Sequence, residues 1–244
     1  MIIKYNLMRC CLSWRSMITP RHVISQISIC LRTTRNLRLK KSPAVLSANA
    51  VTSINTLTQQ NFHQMGDVIP AGGPTQDEVM AISLFRMGLR PGDTVLDLGC
   101  GTGKVSIAMA PLVQNVYAVD RRPEAIAYAK NAAMAAGRTN ISFFSGEATG
   151  FLETSPVFDC AFVGGSQQIE TILPVLSRKV RRVIVVNAVL VSTLATVTST
   201  MQHLGIFKEA IHVQVARSNP LGQSMMFKPI DPVYVIVGSG VACS

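Results

Sequence analysis

The first 66 residues contain no aspartate or glutamate, yet nine lysines and arginines lie between Lys4 and Lys41. This stretch carries almost all of the chain's formal net charge of +10 over 244 residues; the rest holds 14 basic and 13 acidic side chains. A nearly neutral body gives no electrostatic case for nucleic-acid binding. Aromatic residues are also scarce, at 6%, and are not interleaved with basic ones in the body, so stacking platforms for nucleic acid are not expected either. Six cysteines (Cys10, Cys11, Cys30, Cys100, Cys160, Cys243) form no Cys-x-x-Cys pair and no Cys/His ligand spacing, so neither a zinc site nor a disulfide framework is indicated. His203 and His212 read as structural, and no metal is expected. Apolar runs near the start are broken by arginine and fall short of the roughly 20 residues a bilayer span needs. No membrane association is expected.

The acid-free start is rich in Arg, Ser and Thr, the composition of an organellar transit peptide. A true translation start at Met65 and a functional basic arm are the open alternatives. The expected organisation is a basic extension without a fold over 1–65 and one folded domain over 66–244, cytoplasmic unless the extension is a real transit peptide. A length of 244 residues and a hydrophobic content of 48% suit one well-buried domain.

Within that domain apolar runs alternate with helix-forming segments. Thr75 offers an N-cap, and Glu78 completes a capping box for a helix to about Met87. Strands are expected near Val95–Leu98, Val116–Asp120, Ile141–Phe144, Phe158–Val163 and Val183–Val186. Helices are expected over about Lys104–Ala110, Pro123–Ala136, Gln167–Leu176 and Ser192–Leu204, with Gly137 ending the second. Lys208–Ala216 and Val233–Val237 read as a final strand pair around a segment rich in Pro, Gly and Met. This order implies an α/β fold with a mostly parallel seven-stranded sheet, helices on both faces and one antiparallel strand. Ligands in such sheets sit beyond the carboxyl ends of the strands. Asp97–Gly103, Asp120, Glu147–Ala148, Gly164–Ser166 and Asn187 all fall at those ends.

The spacing at the first exit, Asp97-x-Gly99-x-Gly101-x-Gly103, differs from the G-x-G-x-x-G of dinucleotide folds. It resembles motif I of the class I S-adenosylmethionine methyltransferases, which have a Rossmann-like fold. That resemblance implies glycines making room for methionine and adenosine, Asp97 near the cationic end of the cofactor, and Asp120 accepting from the ribose diol. Cys100, inside the turn, reads as a packing residue rather than a nucleophile. Val163-Gly164-Gly165-Ser166 stands where amino-directed methyltransferases carry Asp/Asn-Pro-Pro-Tyr, which argues against that class.

A longer series is more specific. Gly72-Gly-Pro-Thr-Gln-Asp-Glu-Val79, the glycine turn, Tyr117-Ala-Val-Asp-Arg-Arg-Pro-Glu-Ala-Ile126, Val163–Ser166, Val215-Ala-Arg217 and Met225-Met226 follow in order. Together they resemble the decarboxylating cobalt-precorrin-6B (precorrin) C15-methyltransferase family of corrin synthesis, over roughly residues 66–238. The resemblance implies methylation of C15 of the macrocycle with loss of carbon dioxide from the C12 acetate, giving cobalt-precorrin-7, with S-adenosylmethionine as cofactor. It implies cofactor contacts at Thr75, Asp97, Gly99, Cys100, Gly101, Thr102, Gly103, Asp120, Glu147 and Ala148. For the tetrapyrrole it suggests Gly165, Asn187, Arg217, Met225 and Lys228, the two cations pairing with ring carboxylates. Glu147 stands where the family is expected to carry Asp. No dedicated catalytic base is required. The implied partners are other copies of the chain, as a homotetramer, and the C5-methylating enzyme of the same pathway. Two other classes stay open: a methyltransferase acting on protein or RNA, and a non-catalytic cofactor-binding subunit.

Overall fold

The computed structural model describes residues 73–165 and 167–241. The expected extension over 1–65, the boundary at 66 and Ser166 lie outside the described residues.

Helix α1 (Asp77–Met87) leads into β1 (Thr94–Leu98). Then come α2 (Lys104–Met109), β2 (Asn115–Asp120), α3 (Pro123–Ala135), β3 (Ile141–Ser145), α4 (Ala148–Thr154), β4 (Phe158–Val163), α5 (Ile169–Lys179), β5 (Val180–Ala188) and α6 (Val191–His203). Four strands close the chain: β6 (Phe207–Val213), β7 (Ala216–Leu221), β8 (Ser224–Pro229) and β9 (Val233–Ser239). The main sheet has seven strands in the order β3-β2-β1-β4-β5-β9-β6. The first five pair in parallel, while β9 runs antiparallel to both β5 and β6. The expected sheet, with its single antiparallel strand, is the one observed.

Alternation along the strands divides the core. Leu96, Ala161, Val163, Ile184 and Val186 face a cluster with α4, α5 and α6 that includes Leu152, Leu173 and Met201. Val95, Cys160, Phe162 and Val185 face Val79 and Met87 of α1 and Val105 and Met109 of α2. Burying a side chain of this size contributes roughly 1.5–3 kcal/mol, so the central strands, covered on both faces, form a rigid floor for their exits. Gly137, at φ 65°, ends α3 as expected; its amide and that of Arg138 donate to Met134 and Ala133 at 3.0 and 2.9 Å, a Schellman stop.

Three local expectations change. Thr75 does not cap α1: the N-cap is Gln76, with no side-chain capping bond, and Glu78 is drawn instead to Arg217. Ala148–Thr154 forms a short helix that the sequence reading leaves unassigned. The Pro/Gly/Met-rich segment is an antiparallel hairpin, β7 with β8, forming a separate two-stranded sheet. Gly222, at φ 60°, lies in its turn, where glycine adopts the left-handed backbone without a Cβ penalty.

Candidate active site

The glycine turn leaves β1 with Gly99, Gly101 and Gly103 at φ 79°, 53° and 75°. The amides of Gly99 and Cys100 both donate to the Val119 carbonyl, at 2.8 and 3.0 Å, binding this turn to the end of β2. A Cβ on Gly103 would stand 2.8 Å from the Ala129 Cβ, so that glycine lets α3 pack against the turn. Asp97 is fully buried. One oxygen accepts from the Ser106 hydroxyl, and the other has no partner among the described residues. Burial outweighs Ser106's donation, and with the nearby Asp120 charge it pushes the Asp97 carboxyl up to about 7. Cys100 is 7% exposed, and burial drives its thiol far above the ordinary range, in keeping with a packing role.

Asp120 closes β2 and is 5% exposed. Its Oδ1 accepts from the Arg122 amide and Nε, both at 3.0 Å. Its Oδ2 accepts from the Gly101 amide at 2.9 Å and from Arg122 Nη2 at 3.1 Å. Burial alone would raise this carboxyl; the Arg122 and Gly101 donors outweigh it and hold it below the usual range.

Two cavities open on this edge of the sheet. The larger, about 350 Å³, is lined by Asp120, Glu147, Ala148 and Gly165, with Gln167 and Gln168 from the β4 exit. The smaller, about 120 Å³, is lined by Thr75, Asp97, Gly99, Cys100, Gly101 and Thr102. Gly103, the N-cap of α2, follows Thr102 in the chain and itself lines neither cavity. The cofactor residues expected from sequence therefore converge. Lys104 was not expected: it donates to the Thr75 carbonyl at 2.9 Å and pairs with Asp77 at 2.7 Å, tying the segment before α1 to the turn. Arg122 was not expected either, although a cation two residues beyond a strand-ending carboxylate was a visible signal. Gln168 sits at φ 54°, the sole non-glycine residue with positive φ among those described, and no sequence feature announced it.

The expected substrate residues are more dispersed. Gly165 lines the larger cavity. Asn187, at the β5 exit, lines neither; its Oδ1 lies 3.1 Å from the Ser83 hydroxyl, and its buried Nδ2 has no partner among the described residues. Arg217, Met225 and Lys228 lie on the hairpin, with Arg217 opposite Lys228 in register. Arg217 grips Glu78 through two bonds of 2.9 and 2.6 Å, and that pairing holds the Glu78 carboxyl down at about 2.

This strand order, with a glycine turn beyond β1 and a carboxylate closing β2, defines a class I methyltransferase fold. A S-adenosylmethionine-dependent O-methyltransferase from Thermotoga maritima shares the fold, at a TM-score of 0.61 and 13% identity over 77% of this chain and 72% of that one. The family is narrower. The precorrin methyltransferase domain model matches residues 70–238, and the chain belongs to the precorrin methyltransferase family. A relative from Methanosarcina acetivorans, named "Probable cobalt-precorrin-6B C(15)-methyltransferase (decarboxylating)", is 43% identical over 173 residues, covering 69% of this chain and 94% of the relative. The crystal structure of precorrin 8W decarboxylase from Methanobacterium thermoautotrophicum has 32% identity and a TM-score of 0.66, over 69% of this chain and 92% of that one. That of precorrin-6Y C5,15-methyltransferase from Geobacter metallireducens has 27% identity and a TM-score of 0.67, over 70% and 94%.

Proposed function

We propose that this chain transfers a methyl group from S-adenosylmethionine to C15 of cobalt-precorrin-6B and releases the C12 acetate carboxylate as carbon dioxide, giving cobalt-precorrin-7. The observation that carries the proposal is the paired cavity at the carboxyl edge of the sheet, built on the glycine turn in a precorrin methyltransferase domain. The residues present fit the cofactor. Asp97 has a buried oxygen in search of a donor or cation at the small cavity, and Asp120 supplies the strand-end carboxylate a ribose diol needs. Asp97, Thr75 and the turn from Gly99 to Thr102 would hold the methionine end, with Gly103 letting the turn close. Glu147 and Ala148 would hold the adenine side.

S-adenosylmethionine brings an electrophilic methyl carbon on its sulfonium. The protein's task is then alignment with a nucleophilic ring carbon, for which no general base is needed. Decarboxylation breaks the bond between the acetate methylene and its carboxylate. The electron pair left behind spreads into the conjugated macrocycle before a proton replaces the lost carbon dioxide. Gly165 and Asn187, at neighbouring strand exits, and Arg217, Met225 and Lys228 on the hairpin would frame the ring, the two cations meeting its carboxylates.

The hairpin also supports assembly with other copies of the chain, as a homotetramer. Both of its strands are exposed along their length, with Leu221, Met225 and Phe227 at 61%, 69% and 71%. Exposed apolar clusters of this kind mark interaction surfaces. The C5-methylating enzyme of the pathway is the second proposed partner. The deciding experiment incubates the protein with S-adenosylmethionine and cobalt-precorrin-6B and follows the product by mass spectrometry. Methyl gain with carbon dioxide loss is the expected result; unchanged substrate would refute the assignment.

A further inference from the structure

Arg122 lines both cavities, as do Gly99 and Gly164, and of the three it alone carries a side chain. Its guanidinium meets the Asp120 carboxylate side-on, one nitrogen to each oxygen, at 3.0 and 3.1 Å. Backbone amides of Arg122 and Gly101 take the remaining acceptor directions, so each Asp120 oxygen already receives two hydrogen bonds. A carboxylate offers about four acceptor sites in all. Asp120 as it stands has none left for a ribose diol.

The cofactor assigned above is one continuous molecule whose adenosine and methionine ends belong to the two cavities. The Arg122 side chain stands between them, its Nη2 3.8 Å from where a Cβ on Gly101 would lie. We infer that Arg122 is a latch on the cofactor cleft: its guanidinium occupies the ribose acceptor, and the cofactor enters by displacing it from Asp120. The two backbone donors remain in place and keep the carboxylate aimed. Arg122 and Gly165 of the β4 exit both line the larger cavity, so the released guanidinium stays on the cavity that a polyanionic ring would approach. Order of binding follows from this: cofactor first, anionic substrate second. Because the carboxylate–guanidinium pair must open, part of the diol's binding free energy is spent on that exchange, and apparent affinity falls by the fraction of protein in the open state.

This inference rests on the cofactor reading, and the test separates the two. S-adenosylhomocysteine, which carries the same ribose, is titrated by calorimetry into wild type, Arg122→Ala and Arg122→Lys, with association rates from stopped-flow fluorescence. Wild-type protein that does not bind S-adenosylhomocysteine overturns the cofactor reading itself. Given wild-type binding, the latch predicts that Arg122→Ala binds at least threefold tighter and associates faster, with Arg122→Lys, a single-point donor, in between. Unchanged or weaker affinity in Arg122→Ala, with the melting temperature retained, overturns the latch and makes Arg122 either a bystander or a cofactor ligand. If Arg122→Ala does not fold, Arg122→Lys decides alone: tighter, faster binding supports the latch, and equal or weaker binding refutes it.

Discussion

The backbones of Gly99 and Gly165 approach so closely that a Cβ on Gly99 would stand 2.9 Å from the Gly165 nitrogen. Gly99 follows β1 and Gly165 lies beyond the end of β4, neighbours in the sheet, so the contact welds the two strand exits that frame both cavities. Gly99 also sits at φ 79°, where an L side chain is strained. Gly99→Ala should lose about 2 kcal/mol or more of stability and abolish S-adenosylhomocysteine binding. Urea unfolding with calorimetry checks both; a variant of wild-type stability and affinity would show that the exits part without consequence.

Asp97 should make cofactor binding pH-dependent. Its folded pKa, about 7, lies above the roughly 3.9 of an unfolded aspartate, so its contribution to stability is present below pH ~4 and is lost as pH rises through 7. A cationic ligand beside it prefers the ionised form. Affinity for S-adenosylmethionine should therefore climb between pH 6 and 7, by at most about tenfold, then level off, with proton release below pH 7. Titrations at pH 6.5 in two buffers of different ionisation enthalpy measure that proton. Asp97→Asn should flatten the profile, and a pH-independent wild type would remove the role.

At the opposite end of the sheet, Arg182 holds Asp93 with bonds of 2.8 and 2.7 Å and lies 3.2 Å from the Cys160 sulfur. Burial would raise the Asp93 carboxyl, but Arg182 and the Arg90 amide outweigh it and hold it low. Arg182→Ala strands a carboxylate that is 4% exposed and should cost about 2–3 kcal/mol. The pair's contribution is present above pH ~4 and lost as pH falls through the depressed folded value. The difference in urea midpoint between wild type and variant should accordingly shrink on acidification below pH 4.

Arg217 faces a choice between Glu78 and a substrate carboxylate. Arg217→Ala should lower kcat/KM toward the macrocycle about tenfold or more, with S-adenosylhomocysteine affinity unchanged because Arg217 lines neither cavity. Glu78→Gln, which frees the guanidinium, should leave kcat/KM equal or higher. Equal losses in the two variants would mean that the pair serves only to dock the hairpin on α1.

Removal of residues 1–60 should leave the melting temperature and cofactor affinity as they are, since this acid-free stretch has no periodic apolar face to offer a core. A drop of several degrees in a thermal melt would show that it packs on the domain.

The order of the seven main-sheet strands and of every helix but Ala148–Thr154, the glycine turn and the carboxylate ending β2 were legible in the sequence, because each is dictated locally. Alternating apolar residues bury a strand on both faces, and glycines spaced two apart permit a turn with repeated positive φ. Convergence of the strand exits followed from parallel connectivity. What only the tertiary structure decided was the pairing of charges. Glu78 reads as half of a capping box, yet it binds Arg217, 139 residues away: a full guanidinium offers a carboxylate more than one backbone amide does. The Pro- and Met-rich segment became a hairpin because its strands pair with each other, a cross-strand match that no periodicity within either strand declares. Whether Asp120 stands ready or already engaged depends on how the Arg122 side chain folds back between two cavities, and sequence adjacency alone does not state that.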